Sequence, residues 1–154
     1  MTDPDLRIRA DRGPAEHPVL VAIWASAVEA THAFLDPEDR EQIRARLMPQ
    51  YFPQVRLLVA ERGGRPVGFA GIAGTGLEML FVHADEHRRG IGGALLARAI
   101  AEHDIRTVDV NEQNPQATRF YAARGFEVVG RSPEDEAGRP YPILHLRRNP
   151  GAKP

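Results

Sequence analysis

The sequence predicts a single α/β domain with a mixed β-sheet and the element order β-α-α-β-β-β-α-β-α-β-β. Its 154 residues are enough for one compact domain and too few for two ordinary ones. Apolar residues make up 42% and charged residues 27%, which is typical of a globular chain with a buried core. Segments with a two-residue apolar period alternate with segments of helical period, and this alternation predicts helices packed on a sheet.

The first elements are a strand and two helices. Apolar and charged residues alternate over Leu6–Ala10, which predicts a half-buried strand. Apolar residues recur every three or four positions over Ala15–Thr31 and predict a helix. Asp36 is suited to cap a second helix, and acidic residues follow it in the first turn, where the helix dipole favours them. This helix is expected to end by Pro49 or Pro53.

The remaining segments complete the sheet. Gly125 is suited to end the last helix, and prolines just before the last strand predict that this strand begins near a sheet edge. The strands on either side of the helix predicted at Gly90–His103 should be parallel and joined by a right-handed crossover. The predicted strands are Arg56–Glu61, Val67–Ile72, Leu77–His83, Arg106–Val110, Phe126–Gly130 and Ile143–Arg147, and the predicted helices are Gly90–His103 and Asn114–Arg124.

Missing residue types exclude several chemistries. The chain has no cysteine, which excludes disulfides and thiolate nucleophiles. Its one lysine, Lys153, lies in a tail over residues 149–154 that we expect to be disordered, which excludes a Schiff-base lysine. No His-Glu-x-x-His motif occurs, and no metal is expected. A net charge of -1 with scattered basic residues argues against nucleic acid or membrane partners. The sequence shows no signal peptide or membrane helix, so a cytoplasmic protein is expected.

A glycine-rich turn carries the strongest functional signal. The segment Leu80–Leu96 predicts a strand that leads through an arginine-rich loop into a helix whose first turn is Gly-Ile-Gly-Gly. The first N–H groups of a helix have no partner within it, so this turn predicts a phosphate or pyrophosphate site. Alternatively, the glycines only permit close packing on the sheet. Leu95 stands where a dinucleotide-binding fingerprint needs its third glycine, which argues against a Rossmann domain.

Two motifs together resemble a known family. The turn Arg89-Gly-Ile-Gly92 and the later segment Asn114–Phe126 resemble the GNAT superfamily of acetyl-CoA-dependent N-acetyltransferases. Most of the chain is similar to the small bacterial YjaB-like members, through Ala30–Leu35, Val110–Asn114, Gly130–Ser132 and Gly138–Pro142. One departure is His87, since family members usually carry Gln or Arg at that position.

The resemblance implies a GNAT-like domain over residues 1–148 and acetyl-CoA as the cosubstrate. The strands Leu77–His83 and Arg106–Val110 would splay apart, and the pantetheine arm would pair with the exposed backbone as a surrogate strand. The implied cofactor-binding residues are Phe81, Val82, His87, Arg88, Arg89, Gly90, Ile91, Gly92, Gly93, Ala94, Asn114 and Tyr121.

The same resemblance implies catalytic roles. Tyr121 would donate a proton to the departing CoA thiolate, or it is an ordinary half-buried tyrosine. Asn114 would bind near the pantetheine, or it is only a helix cap. Glu78 is the first candidate for the base that deprotonates the amine, although a water chain or a purely solvent-facing Glu78 remains open. His83 and His32 are weaker candidates.

The first two helices and the last hairpin should form the acceptor pocket. His32 and Tyr141 are expected to contact the acceptor, because both lie where regular structure gives way to a loop or an edge. Trp24 is expected in the core, and the other aromatic candidates are Phe34, Tyr51 and Phe52. The resemblance implies that the acceptor is a primary amine of a small molecule, a peptide or a protein. A non-catalytic acyl-CoA-binding module is the alternative, and the chain is either a monomer or a homodimer.

Overall fold

The computed structural model describes residues 4–151 and has the predicted order of strands and helices. Residues 152–154 of the tail that we expected to be disordered, including Lys153, lie outside the described residues. At the start of this tail, the Asn149 N–H donates a 2.8 Å hydrogen bond to the Gly125 carbonyl. The elements are β1 Leu6–Ala10, α1 His17–Thr31, α2 Pro37–Arg46, β2 Arg56–Arg62, β3 Arg65–Ala73, β4 Gly76–Val82, α3 Ile91–His103, β5 Thr107–Asn111, α4 Pro115–Ala122, β6 Phe126–Ser132 and β7 Ile143–Arg148.

Helix α2 begins and ends as its sequence predicts, and a wider helical turn follows it. The Asp36 side chain accepts a 2.9 Å hydrogen bond from the Glu38 N–H, which confirms the predicted cap. Beyond Arg46 the chain widens into a π-helical turn over Leu47–Tyr51, which includes Pro49 and ends before Pro53. The turn continues the helical path and places the side chain of Leu47 in the core.

The sheet has the strand order β1-β2-β3-β4-β5-β7-β6, in which only β4 and β5 are parallel. The expectation that the last strand begins near a sheet edge is wrong, because β7 lies between β5 and β6 and pairs with both. Pro140 and Pro142 precede the first paired residue, Ile143, so neither removes a hydrogen bond from the ladder.

Helices cover both faces of the sheet. On one face, α3 and α4 pack over a cluster that includes Leu95, Leu96 and Phe126. On the other, α1 packs over a cluster that includes Trp24 and Phe69. No helix within residues 4–151 is long and apolar enough to cross a membrane.

Strands β4 and β5 separate after two residue pairs. Gly76 pairs with Thr107 and Leu77 with Val108, and beyond these pairs the two strands diverge. The ladder between β3 and β4 skips Glu78, so Glu78 is the extra residue of a β-bulge at the point of divergence. A bulge bends its strand and ends regular pairing. The predicted splay is confirmed, and the β5-facing backbone groups of β4 beyond the bulge have no strand to pair with.

Candidate active site

The glycine-rich turn places three free N–H groups at the start of α3. Gly90 caps the helix with φ 78°, a left-handed conformation that suits glycine. The Ala94 N–H makes the first backbone hydrogen bond of the helix, to the Gly90 carbonyl. The N–H groups of Ile91, Gly92 and Gly93 therefore have no backbone partner within residues 4–151. They lie where the helix dipole favours an anion.

The glycines of this turn also permit close packing, as the alternative interpretation held. A Cβ atom on Gly92 would lie 3.6 Å from the Phe120 ring, and one on Gly93 would lie 3.0 Å from Nη2 of Arg124. A Cβ on Gly93 would crowd the Arg124 side chain, whereas 3.6 Å at Gly92 is an ordinary van der Waals distance, so the close approach concerns Gly93 alone.

The loop before the turn is fixed by side chains. The buried Glu86 carboxylate lies 3.2 Å from Nε of Arg89 and 3.3 Å from Nη2 of Arg65, whereas Arg88 is exposed. Nε2 of His87 lies 2.9 Å from the Val82 carbonyl oxygen. Since a carbonyl only accepts, Nε2 carries the hydrogen and donates it. The His87 ring therefore binds the end of β4.

Phe81 and Val82 lie on opposite faces of β4. The Phe81 ring packs with Trp24 at 6.5 Å and Phe69 at 5.7 Å between centroids, on the α1 side of the sheet. The Val82 side chain faces α3 and lies 3.8 Å from the position of a Gly92 Cβ. The backbone of both residues belongs to the splayed part of β4.

The side chains of α4 lie on the other side of the gap. Tyr121 is 6% exposed, and its ring packs edge-on with Phe120 at 5.0 Å and Phe126 at 5.4 Å. Its hydroxyl makes no hydrogen bond within residues 4–151. The hydroxyl oxygen is not fully buried. Burial raises the pKa of Tyr121 far above its ordinary value. Asn114 caps α4 by accepting a 3.3 Å hydrogen bond from the Ala117 N–H.

A cavity of about 500 Å³ lies on the α1 side of the gap. Both splayed strands contribute to its wall, and so do α1, α2, the turn that follows α2, and the segment before β7. Tyr121 is not part of this wall. Its lining includes apolar side chains (Trp24, Val28, Leu35, Ile43, Met79, Phe81) and acidic side chains (Glu78, Asp109, Glu136).

Glu78 lies where the gap opens into the cavity. Its Oε1 is 3.2 Å from the position of a Cβ on Gly76, which pairs with Thr107 in β5. Burial raises the pKa of Glu78, and the negative charges of Asp109 and Glu136 raise it further. A carboxyl group with a raised pKa is a better base once it is ionised.

Two neighbouring carboxylates are held by other partners. Asp135 lies 3.2 Å from Nη1 of Arg139, and this arginine is the one cation among the described residues of the wall. Asp109 lies 2.8 Å from Nδ1 of His145, and Nε2 of His145 lies 2.7 Å from the Ser132 hydroxyl. Sequence reasoning missed these groups, although the alternation along β5 places Asp109 on the face opposite Val108 and Val110.

The two expected acceptor contacts, His32 and Tyr141, both line the cavity. Burial lowers the pKa of His32 to about 4, so its ring is neutral and only weakly basic. The Tyr141 hydroxyl donates a 2.5 Å hydrogen bond to Asp39 and accepts a 3.0 Å one from the Asp36 N–H. Tyr141 thus clamps the segment before β7 to the start of α2, and its ring rather than its hydroxyl faces the cavity.

The other aromatic candidates divide into two groups. Trp24 belongs to the core, as expected, and also reaches the cavity wall with Tyr51. Phe52 is buried away from the cavity, and Phe34 packs on His32 and Tyr141 at 5.2 and 6.1 Å.

His83 does not face the cavity, and its Nδ1 accepts a 3.1 Å hydrogen bond from the Asp85 N–H. Within residues 4–151 no three His, Asp or Glu side chains are grouped to hold a metal ion.

Comparisons with known proteins match this architecture. The family described as "Acetyltransferase (GNAT) domain" matches residues 23–141. The peptidyl-lysine N-acetyltransferase YjaB of Escherichia coli is 41% identical over 128 residues, covering 82% of this chain and 86% of YjaB. The solution structure of apo YjaB superimposes with a TM-score of 0.83 and 40% identity, covering 92% of this chain and 96% of that one.

A more distant structure shares the fold. The acetyltransferase yncA of Salmonella typhimurium, solved with acetyl-CoA, is 22% identical with a TM-score of 0.64, and the match covers 93% of this chain and 92% of that one. The family match and the similarity to YjaB lead to one conclusion: the chain belongs to the GNAT acetyltransferase family and is an N-acetyltransferase.

Proposed function

We propose that the chain transfers an acetyl group from acetyl-CoA to the ε-amine of a lysine side chain in a peptide or protein. The observation that carries this proposal is the cavity beside the gap, whose lining combines apolar and acidic side chains. A lysine side chain has the matching chemistry, because it joins a four-carbon apolar stem to a cationic amine. The similarity to YjaB, whose name specifies peptidyl-lysine, supports this acceptor class.

The turn and the gap have the features that coenzyme A requires. Its diphosphate would accept hydrogen bonds from the N–H groups of Ile91, Gly92 and Gly93. Its pantetheine amides would pair with the unpaired backbone of β4, near Phe81 and Val82. The remaining residues proposed to surround it are His87, Arg88, Arg89, Gly90, Ala94, Asn114 and Tyr121. His87 would contribute through its backbone, since its Nε2 binds Val82.

The proposed chemistry needs a base and an acid from this chain. Acetyl-CoA supplies the activated thioester that the neutral amine attacks. A free lysine amine has a pKa near 10.4, so it must first lose a proton. Glu78, at the junction of gap and cavity, takes that proton directly or through water. Tyr121 gives a proton to the departing thiolate, and its raised pKa keeps the hydroxyl protonated until then. The amine attacks the thioester directly in this proposal, and the absence of cysteine excludes a thiol acyl-enzyme.

The experiment combines calorimetry with acetylation of three peptides. The first carries an internal lysine and a blocked N-terminus, the second a free N-terminus and no lysine, and the third neither amine. We expect acetyl-CoA to bind, and CoA thiol release and a mass gain of one acetyl group only with the first peptide. Acetylation of the second peptide alone would refute the lysine assignment. Acetyl-CoA binding without thiol release from any peptide or small amine would instead favour a non-catalytic module.

A further inference from the structure

The Arg124 side chain, just beyond the end of α4, is held in a defined position. Its Nη1 donates a 2.9 Å hydrogen bond to the Phe120 carbonyl oxygen. Its guanidinium carbon lies 3.8 Å from the centroid of the Phe120 ring. These two contacts use one face and one nitrogen of the guanidinium group and leave other N–H donors free.

Arg124 has no carboxylate partner within residues 4–151, unlike several other arginines of the chain. Arg89 is paired with the buried Glu86, and Arg139 is paired with Asp135. Arg88 is also unpaired, but it is exposed and has no aromatic ring beneath it. Arg124 is therefore the ordered, unpaired positive charge nearest the glycine-rich turn.

The guanidinium group of Arg124 lies against the first turn of α3. Its Nη2 is 3.0 Å, and its Nε 3.6 Å, from the position that a Cβ on Gly93 would occupy. The Phe120 ring covers Gly92 in the same way, at 3.6 Å. Both glycines belong to the set of three free N–H groups at the start of the helix.

We propose, on the basis of the acetyl-CoA role above, that Arg124 binds the diphosphate of coenzyme A together with the N–H groups of Ile91–Gly93. The helix start offers only about half a positive charge. A diphosphate carries two negative charges, and an arginine fork can bind phosphate oxygens in a bidentate manner. His87 cannot supply this contact through Nε2, which is bonded to Val82. Arg124 thus adds a positive side-chain contact from the segment after α4.

The test measures dissociation constants by calorimetry for CoA, dephospho-CoA and pantetheine. Dephospho-CoA lacks the 3′-phosphate and keeps the diphosphate, whereas pantetheine has neither. We expect Arg124→Gln to weaken both CoA and dephospho-CoA by about tenfold, as expected for one lost charge-assisted contact, and to leave pantetheine unchanged. Arg119→Gln, an exposed arginine on α4, is the matched control and should change neither value by more than about twofold.

Each other outcome is distinguishable. Equal CoA affinities for Arg124→Gln and wild type would overturn the proposal, and a loss with CoA but not with dephospho-CoA would reassign Arg124 to the 3′-phosphate. Failure of the wild type to bind CoA would refute the proposed function itself. Arg124→Lys serves if the glutamine variant does not fold. It keeps the charge but not the fork or the stacking, so CoA and dephospho-CoA should weaken equally by a smaller factor, and unchanged affinity would count against the proposal.

Discussion

Replacing Tyr121 with phenylalanine separates catalysis from stability at this site. The substitution removes a hydroxyl that has no hydrogen bond within residues 4–151 and keeps the ring between Phe120 and Phe126. The free energy of unfolding should therefore change by less than about 0.5 kcal/mol. A lost general acid lowers a rate by about 10² to 10⁴-fold. We expect the lower end, about 10²-fold in kcat, because a thiolate is a better leaving group than an alkoxide and depends less on a proton donor.

Tyr141→Phe is the opposite control. The Tyr141 hydroxyl bridges Asp39 and the Asp36 N–H, so its loss leaves both without their partner. That should cost about 1–2 kcal/mol of stability, a fall in Tm of about 2–8 °C, with little change in kcat. Steady-state thiol release, calorimetry and thermal unfolding measure the three quantities for each variant. Tyr121→Phe with wild-type turnover, or with the Tm loss expected of Tyr141→Phe, would refute the role assigned to Tyr121.

Three further predictions concern titratable groups of the cavity. Glu78→Gln should lower kcat/KM by about 10²-fold and remove the acidic limb of its pH profile, because the base must be ionised; a persisting limb would assign the base elsewhere. Glu136→Gln removes one of the negative charges that raise the pKa of Glu78, so the acidic limb should move to lower pH; a shift to higher pH would contradict this. His32 is neutral in the fold, with a pKa of about 4, and the unfolded chain protonates it near pH 6.5. The free energy of unfolding should therefore fall as the pH drops from about 6.5 to 4, and His32→Leu should remove roughly 2 kcal/mol of that loss. Urea titrations at about pH 7 and 4.5 measure the loss, and equal losses for the wild type and His32→Leu would rule out this role of His32.

Local sequence signals predicted the elements because the deciding interactions are local. Asp36 caps α2 through the N–H of a residue two positions later, and Gly90 adopts the left-handed conformation that begins α3. The position of β7 depends instead on pairing with strands distant in sequence. The prolines near the start of β7 suggested an edge strand, because proline is excluded from the interior of a central strand. These two prolines lie before the first paired residue, so the exclusion does not apply to them.

The site was predictable to a similar extent. The glycine-rich turn was visible in the sequence, and the structure shows its N–H groups free. The bulge at Glu78 was not visible, because a bulge is a mismatch between two strands and has no pattern within one. The contact of Arg124 with the turn was hidden for a related reason, since 31 positions separate it from Gly93.

The sheet has a weak seam at its centre. Two residue pairs join β4 to β5, whereas the other neighbouring strands share between five and seven. The three strands beyond the seam are thus attached to the rest of the sheet mainly through side-chain packing. A ligand that fills the gap between β4 and β5 adds backbone hydrogen bonds where the sheet has the fewest of them. The bound cosubstrate would therefore link the two parts of the sheet. The melting temperature should rise with ligand concentration, and amide exchange should slow on both sides of the seam.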